Sequence, residues 1–339
     1  MKKIKIQSSN VLLLITIVLF FAMYAAGCIV YGDKGFAHFQ TFLNILINNA
    51  GLICVACGTT MVMLSGGIDI SVGSVVAMDC MFLAVGMEKW GRSSVELMIA
   101  VLVIGLVFGL VQGFCISYLE IQPFIVTMAG LFFARGMTAV IDKEQVSIVT
   151  DKLFTWLSST KLIIPFGGYI NKKNVYIEPF LRISVLVAIL CVVITYLILK
   201  YTKFGRAIYA VGGNQQSASL MGLNVKKTKL FTHIVASFFA SIGGICYCLN
   251  TICGTTTQAT GLEMDAISSA VIGGTLLTGG VGNIAGTFFG VLSLATIKNI
   301  VSSLGLDEAW WTNITVAAMI CIFLLVQSLV LSRKNKDSV

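Results

Sequence analysis

Few side chains in this chain could do chemistry on another molecule, and most of those stand in apolar surroundings. Charges inside apolar runs are costly and by default point to function, which singles out Asp69, Asp265, Arg135 and Lys298. Helix capping is the other account of the two acids. Asp69 follows a glycine pair, and Asp265 stands near the start of its helix, where a carboxylate meets free backbone amides. Capping is the expectation for both. Arg135 and Lys298 either pair across helices or extend to a surface.

A polar stretch that interrupts the apolar runs is LSGGIDISVGS at 64–74, with Ser65, Gly66, Gly67, Asp69, Ser71 and Gly73. It reads either as a turn at the water boundary or as a helix break beside a pathway. A gapless partner, LTGGVGNIAGT, lies at 277–287, with Gly279 and Gly280 matching Gly66 and Gly67, and Gly282 where the first copy has Asp69. Glycine-interrupted segments at matching places in two halves point to a transport pathway. Two unrelated glycine turns are the alternative.

Several chemistries are excluded or unsupported. No GxxxxGK[ST] loop is present, so the chain cannot by itself be a P-loop ATPase, and no cofactor is expected in it. No GxSxG elbow nominates a hydrolase. The two histidines, His38 and His233, fall on opposite sides of the expected topology, which leaves no histidine-based metal site. The ten cysteines mostly lie in apolar runs and read as small buried hydrophobes. The CVAC at 54–57 lacks the βαβ context of a redox motif.

The elements that must position these residues are membrane helices. With 57% hydrophobic and 11% charged residues and a mean hydropathy of +0.93, the chain reads as an all-α polytopic membrane protein forming a single domain over 1–339. Spans are expected near 11–31, 44–64, 68–87, 95–119, 123–141, 181–200, 229–250, 263–278, 284–304 and 311–332. That makes about ten in two pseudo-repeat halves, or eight with re-entrant pieces at 68–87 and 263–278. The start resembles a signal peptide, with AAGC as a lipoprotein-like site, but its apolar run is too long and is expected to be an uncleaved first span.

Basic clusters set the orientation. Lys2, Lys3 and Lys5, then Lys200, Lys203, Arg206, Lys226, Lys227 and Lys229, then Arg333, Lys334 and Lys336 share one side if ten spans leave both termini in the cytoplasm. The net charge of +8 therefore belongs to helix ends at a lipid surface, not to a nucleic-acid site. The longest loop, 142–180, falls outside.

One cytoplasmic loop, KFGRAIYAVGGNQQSASLMGLNVKKTK at 203–229, holds a short helix capped by Asn214 and ended by Gly222 with Asn224. It has the form of a docking element for a partner, an ordinary connection being the alternative. In the apolar runs, Asn44, Asn48 and Asn49, with Phe124 and Thr127 beside Pro123, could meet the hydroxyls and apolar face of a passing solute. Bonding between helices is the other use of such asparagines.

GTTMVMLSGGIDISVGSVVAM (58–78), GRAIYAVGGNQQSASLMGLNV (205–225) and DAISSAVIGGTLLTGGVGNIAGTFFG (265–290) closely resemble the permease subunits of ribose-type bacterial ABC sugar importers, over about residues 40–330. LSGGIDISVGS, the 142–180 segment and the WWT at 310–312 look most like the galactofuranose importer permease. The resemblance implies a plasma-membrane permease that imports a monosaccharide by alternating access and is not itself an enzyme. It implies a second permease subunit, ATPase subunits that bind the ATP and Mg, and an extracytoplasmic sugar-binding protein. The coupling segment maps to 203–228, with Gly212, Gly213, Ala218 and Gly222 matching the family's pattern and Gly205 and Asn214 assigned to coupling beside them.

Overall fold

The computed structural model describes residues 8–170, 176–305 and 309–336. Lys2, Lys3 and Lys5 lie outside the described residues. The helices are α1 (Ser8–Val30), α2 (Phe39–Asn48), α3 (Ala50–Leu64), α4 (Val72–Glu88), α5 (Ser94–Ser117), α6 (Pro123–Ile141) and α7 (Lys152–Ser159). They continue as α8 (Ile183–Tyr201), α9 (Lys203–Gly213), α10 (Gln215–Leu220), α11 (Val225–Thr251), α12 (Leu262–Ile272), α13 (Ile284–Ser303) and α14 (Ala309–Lys336). Each expected span coincides with one of these or, for 44–64, with α2 and α3 together.

Length supports part of the count of ten. Six described helices are long and apolar enough to cross a membrane, and α2 with α3 makes a seventh if their 55° bend is taken as one broken span. The two segments expected to be insecure fall short for different reasons. Helix α4 has 17 residues and is buried on nearly every side, so it is part of the core, not a lipid-facing rod. Helix α12 has only 11 residues, about 16 Å of rise, half the roughly 30 Å of a hydrocarbon core. An irregular stretch, 252–261, precedes it.

Burial sorts the helices into layers. All 15 residues of α3 are buried, whereas α5, α6 and α8 expose Val107, Phe132, Phe133 and Leu190. Outward apolar side chains around a core of helices satisfy a lipid solvent. Helix α11 packs against α3, α4 and α5. Its approach to α5 runs along Gly105, Gly109 and Gly113, where a Cβ at Gly109 would stand 2.7 Å from the His233 carbonyl oxygen. Small residues four apart let helix backbones touch in this way.

The stretch from 146 to 182 carries short strands, so the chain is mostly but not wholly helical. Val146–Ser147 pairs antiparallel with Cys253–Gly254, Lys161–Ile163 with Phe180–Arg182, and Tyr169–Ile170 with Tyr176–Ile177. Asp151 caps α7 through the Phe154 amide (2.8 Å) and also accepts the Ser94 amide (3.0 Å). Burial would raise its pKa, but those amides outweigh burial and hold the carboxyl below its ordinary value. The first pairing ties the end of α6 to the stretch leading into α12.

Candidate functional site

Three motifs far apart in the chain meet backbone to backbone. Helix α3 ends before Gly66 (φ +81°), and α12 is followed by Gly279 (φ +86°) and Gly280 (φ +73°). Gly66 and Gly279 occupy matching places in the two aligned motifs, and both take the left-handed conformation that glycine adopts without a Cβ penalty. The copies also touch, the Gly280 amide donating to the Leu64 carbonyl at 2.9 Å. Gly212, at the end of α9, closes the cluster. A Cβ there would lie 2.7 Å from the Gly280 nitrogen, and one on Gly279 would lie 2.9 Å from the Gly212 oxygen. Tyr209 of α9 adds a hydrogen bond from its hydroxyl to the Gly282 carbonyl, 3.0 Å.

Helix α10 hangs from this junction. Asn214 caps it by accepting the Ser217 amide at 2.8 Å, Ala218 is buried, and Gly222 turns the chain at φ +82°. Asn224 does not end α10 as expected. It caps α11, accepting the Lys227 amide at 2.9 Å. Leu220 and Met221 are left 87% and 80% exposed, a large apolar display for a helix in a basic loop. Gly205 takes the Thr202 cap (3.0 Å) and folds α9 back on α8. Gly213 is different from Gly212: it is exposed, and a Cβ there would meet nothing within 4 Å. Beside α10, Lys226 approaches Glu120 at 2.8 Å and holds that carboxyl below its ordinary pKa.

Asp69 braces the first turn from within. Its Oδ1 accepts the Ser71 amide (2.9 Å) and hydroxyl (2.6 Å), while Gln112 of α5 donates to that hydroxyl oxygen at 3.0 Å. Its Oδ2 stands 3.9 Å from Nδ1 of buried His233 on α11. In the second copy, Asn283 accepts the Ala285 amide at 2.9 Å. The same two-residue brace is thus present one position later than the aligned Gly282. Ser65 donates to the Val62 carbonyl (2.8 Å), and Gly67 sits against His233. Gly73 brings α4 onto α12, where a Cβ would lie 3.1 Å from the Glu263 nitrogen.

Farther along the core, the α2–α3 break, α11 and the start of α12 enclose a polar cavity of about 210 Å³, with Asn48, Asn49, Tyr247, Thr260 and Asp265 among its lining. Capping at Asp265 is not found. The cap position of α12 is Gly261, with no side-chain bond, and Asp265 Oδ2 pairs with Lys298 at 2.5 Å. Arg135 of α6 donates to the Thr256 (3.2 Å) and Gln258 (2.7 Å) carbonyls and so anchors the irregular stretch. Of the proposed pathway residues, only Asn48 and Asn49 line this cavity. Asn44 accepts from Gln40 at 2.8 Å. Thr127 lies 3.4 Å from the Ile68 carbonyl, and Phe124 is 49% exposed at the start of α6.

The sequence reading missed Glu263 against Gly73 and, more conspicuously, Asp79. This acid is fully buried in α4, with neither oxygen hydrogen-bonded among the described residues. The signal that flagged Asp69, an acid inside an apolar run, was present there as well. His38 stacks on Tyr169 at 3.9 Å, far in the chain from His233, and no metal-binding group of three or more ligand-type residues occurs among the described residues.

A multi-span helical bundle with glycine breaks, a bent helix pair and a half-length helix is the architecture of a polytopic membrane protein and suits a transporter. A family profile described as "Branched-chain amino acid transport system / permease component" matches residues 41–324, and the chain belongs to that family. It is 38% identical over 293 residues to the inner membrane ABC transporter permease protein YjfF of Escherichia coli, covering 86% of this chain and 85% of that protein. The fructose import permease protein FruG of Bifidobacterium longum is 32% identical, covering 98% of this chain and 94% of that protein. The ribose import permease protein RbsC of Escherichia coli is 30% identical, covering 87% and 88%. No solved structure matches. The chain is therefore a multi-pass permease subunit of the ABC type, a transport component and not an enzyme.

Proposed function

We propose that this chain is one of two permease subunits that import a monosaccharide by alternating access, with ATP and Mg held by separate ATPase subunits. One observation carries the coupling: α10 exposes Leu220 and Met221 on the same short connection whose Gly212 is locked into both glycine turns. An ATPase that closes on ATP and grips this apolar knob would move the two joined breaks as one unit. The sugar-import relatives support the solute class, and LSGGIDISVGS with the WWT motif favours the galactofuranose type among them. The 142–180 segment would receive an extracytoplasmic sugar-binding protein, with lipid around α5, α6 and α8. A branched-chain amino acid is the second reading, favoured by the family's description.

In vesicles holding the chain, its ATPase and its binding protein, ATP-dependent uptake of a labelled monosaccharide and not of leucine is the expected result. Uptake of leucine alone, or of sugar without the ATPase, overturns the proposal. Leu220→Asp with Met221→Asp, both on the surface, is expected to leave the chain folded and to weaken ATPase copurification at least about tenfold. The proposed ten crossings are checked separately: a reporter at Gln215 should read cytoplasm and one at Tyr169 the outside, and a reversed result rejects the orientation.

A further inference from the structure

The cavity at the α2–α3 break has the chemistry of a binding site, and its depth can be placed from helix lengths. Helix α3 has 15 residues between the break and the glycine junction, about 22 Å of rise. Helix α12 has 11 residues between the cavity and the turn that contacts the same junction, about 16 Å. With the junction at the membrane boundary, as the proposed orientation has it, the cavity lies about 16–22 Å into a roughly 30 Å hydrocarbon core. Polar groups at that depth are expensive unless they are paired or face a solute path.

Several of these polar groups are available. No described residue hydrogen-bonds the Asn48 side chain, which is exposed although it stands in the broken span. Asn49 spends its amide nitrogen on the Ile45 carbonyl (2.8 Å) and keeps its oxygen. Asp265 gives Oδ2 to Lys298 at 2.5 Å, leaving Oδ1 without a hydrogen bond from the described residues. Tyr247 supplies a ring, and Thr260, whose hydroxyl donates to the Thr257 carbonyl at 2.7 Å, keeps only its acceptor side.

We infer that this cavity is a mid-membrane transit site for a neutral monosaccharide, with Asp265 as the hydroxyl acceptor and Lys298 as the residue that positions it. The inference rests on the import reading above. A sugar hydroxyl can donate to Asp265 and to the Asn49 oxygen and accept from the Asn48 amide, while the ring's C–H face can lie against Tyr247. The Asp265–Lys298 pair is neutral overall, so nothing in the cavity rewards an ionic solute over a polyol. Its volume of about 210 Å³ is below the roughly 300 Å³ where pockets for drug-sized ligands begin. A single sugar ring suits it, whereas a nucleoside, with base and sugar together, does not.

The test uses the complete transporter in vesicles, with labelled ribose, fructose and galactose as probes. Sugar moved per ATP hydrolysed is measured beside the ATPase rate that the binding protein stimulates. Losing one hydrogen bond to a charged acceptor corresponds to about a tenfold effect. Asp265→Asn is expected to lower sugar per ATP about tenfold with ATPase stimulation retained, and Asp265→Glu to recover part of the loss. Because Asp265→Asn also strips Lys298 of its partner, Asn48→Ala serves as the second variant. It disturbs no bond among the described residues and should lower sugar per ATP several-fold.

Wild-type sugar per ATP in both variants overturns the assignment. So does a parallel fall of uptake and ATPase stimulation in Asn48→Ala, which marks a structural role. If the wild-type transporter moves none of the sugars with ATP, the import reading fails first and this inference falls with it.

Discussion

A transporter carrying Gly212→Val is expected to lose uptake about a hundredfold or more, while the same change at Gly213 leaves uptake within about twofold of normal. The sequence motif treats the two glycines alike, but their surroundings do not. At Gly212 the added carbon would collide with backbone, 2.7 Å from the Gly280 nitrogen and closer still to the Leu64 carbonyl. The hydrogen bond between those two groups joins the turns, so relief requires the turns to part. Overpacking against side chains costs roughly 1–3 kcal/mol, and backbone has less room to yield. At Gly213 a side chain would project into open space. Vesicle uptake of both variants, normalised to inserted protein, decides the matter. Equal loss in the two would mean that the exposed face of α9, not the junction, carries the coupling.

The second large effect is at Asp69. Asp69→Ala removes the acceptor of the Ser71 amide and hydroxyl in a fully buried site. Each buried group left unsatisfied costs about 1–3 kcal/mol, so the purified subunit should unfold at markedly lower temperature and transport should fail with it. Asp69→Asn retains an oxygen at the Oδ1 position, so both bonds persist and the melting temperature and uptake should stay near normal. The outcome that defeats this account is a normally melting Asp69→Asn protein without uptake. The charge facing His233 across 3.9 Å would then be functional. The second copy argues for the bracing role, because Asn283, a neutral residue, makes the equivalent bond to Ala285.

Much of the architecture was legible because membrane insertion writes itself into composition. An apolar run must be helical in lipid, where every backbone group needs an internal partner, so each expected span found a helix. The Asn214 cap and the short helix after it were readable for a similar reason, since a capping side chain and its helix are adjacent in the chain. Missing from that reading were α9, whose KFGRAIYAVGG is neither apolar enough for a span nor polar enough for a loop, and the short paired strands between α6 and α8. The shortness of α12 was legible as a re-entrant alternative at 263–278, but its end at Ile272 was not, because hydropathy alone does not mark where an apolar stretch leaves the helix.

The candidate site divides in the same way. Sequence alone determined a helical permease, the two glycine turns and the short capped helix at 214–222. Each is local, set by composition, by backbone freedom at glycine or by a cap within three residues. Only the tertiary structure decided that Gly212 joins both turns, that Asp69 braces Ser71, that Asp265 answers Lys298, and that Asn48 and Asn49 open onto the same cavity as Asp265. These relations span from two to more than two hundred positions. Whether a buried carboxylate caps its own helix or pairs with another depends on which neighbour packing brings within about 3 Å, and no local pattern encodes that distance.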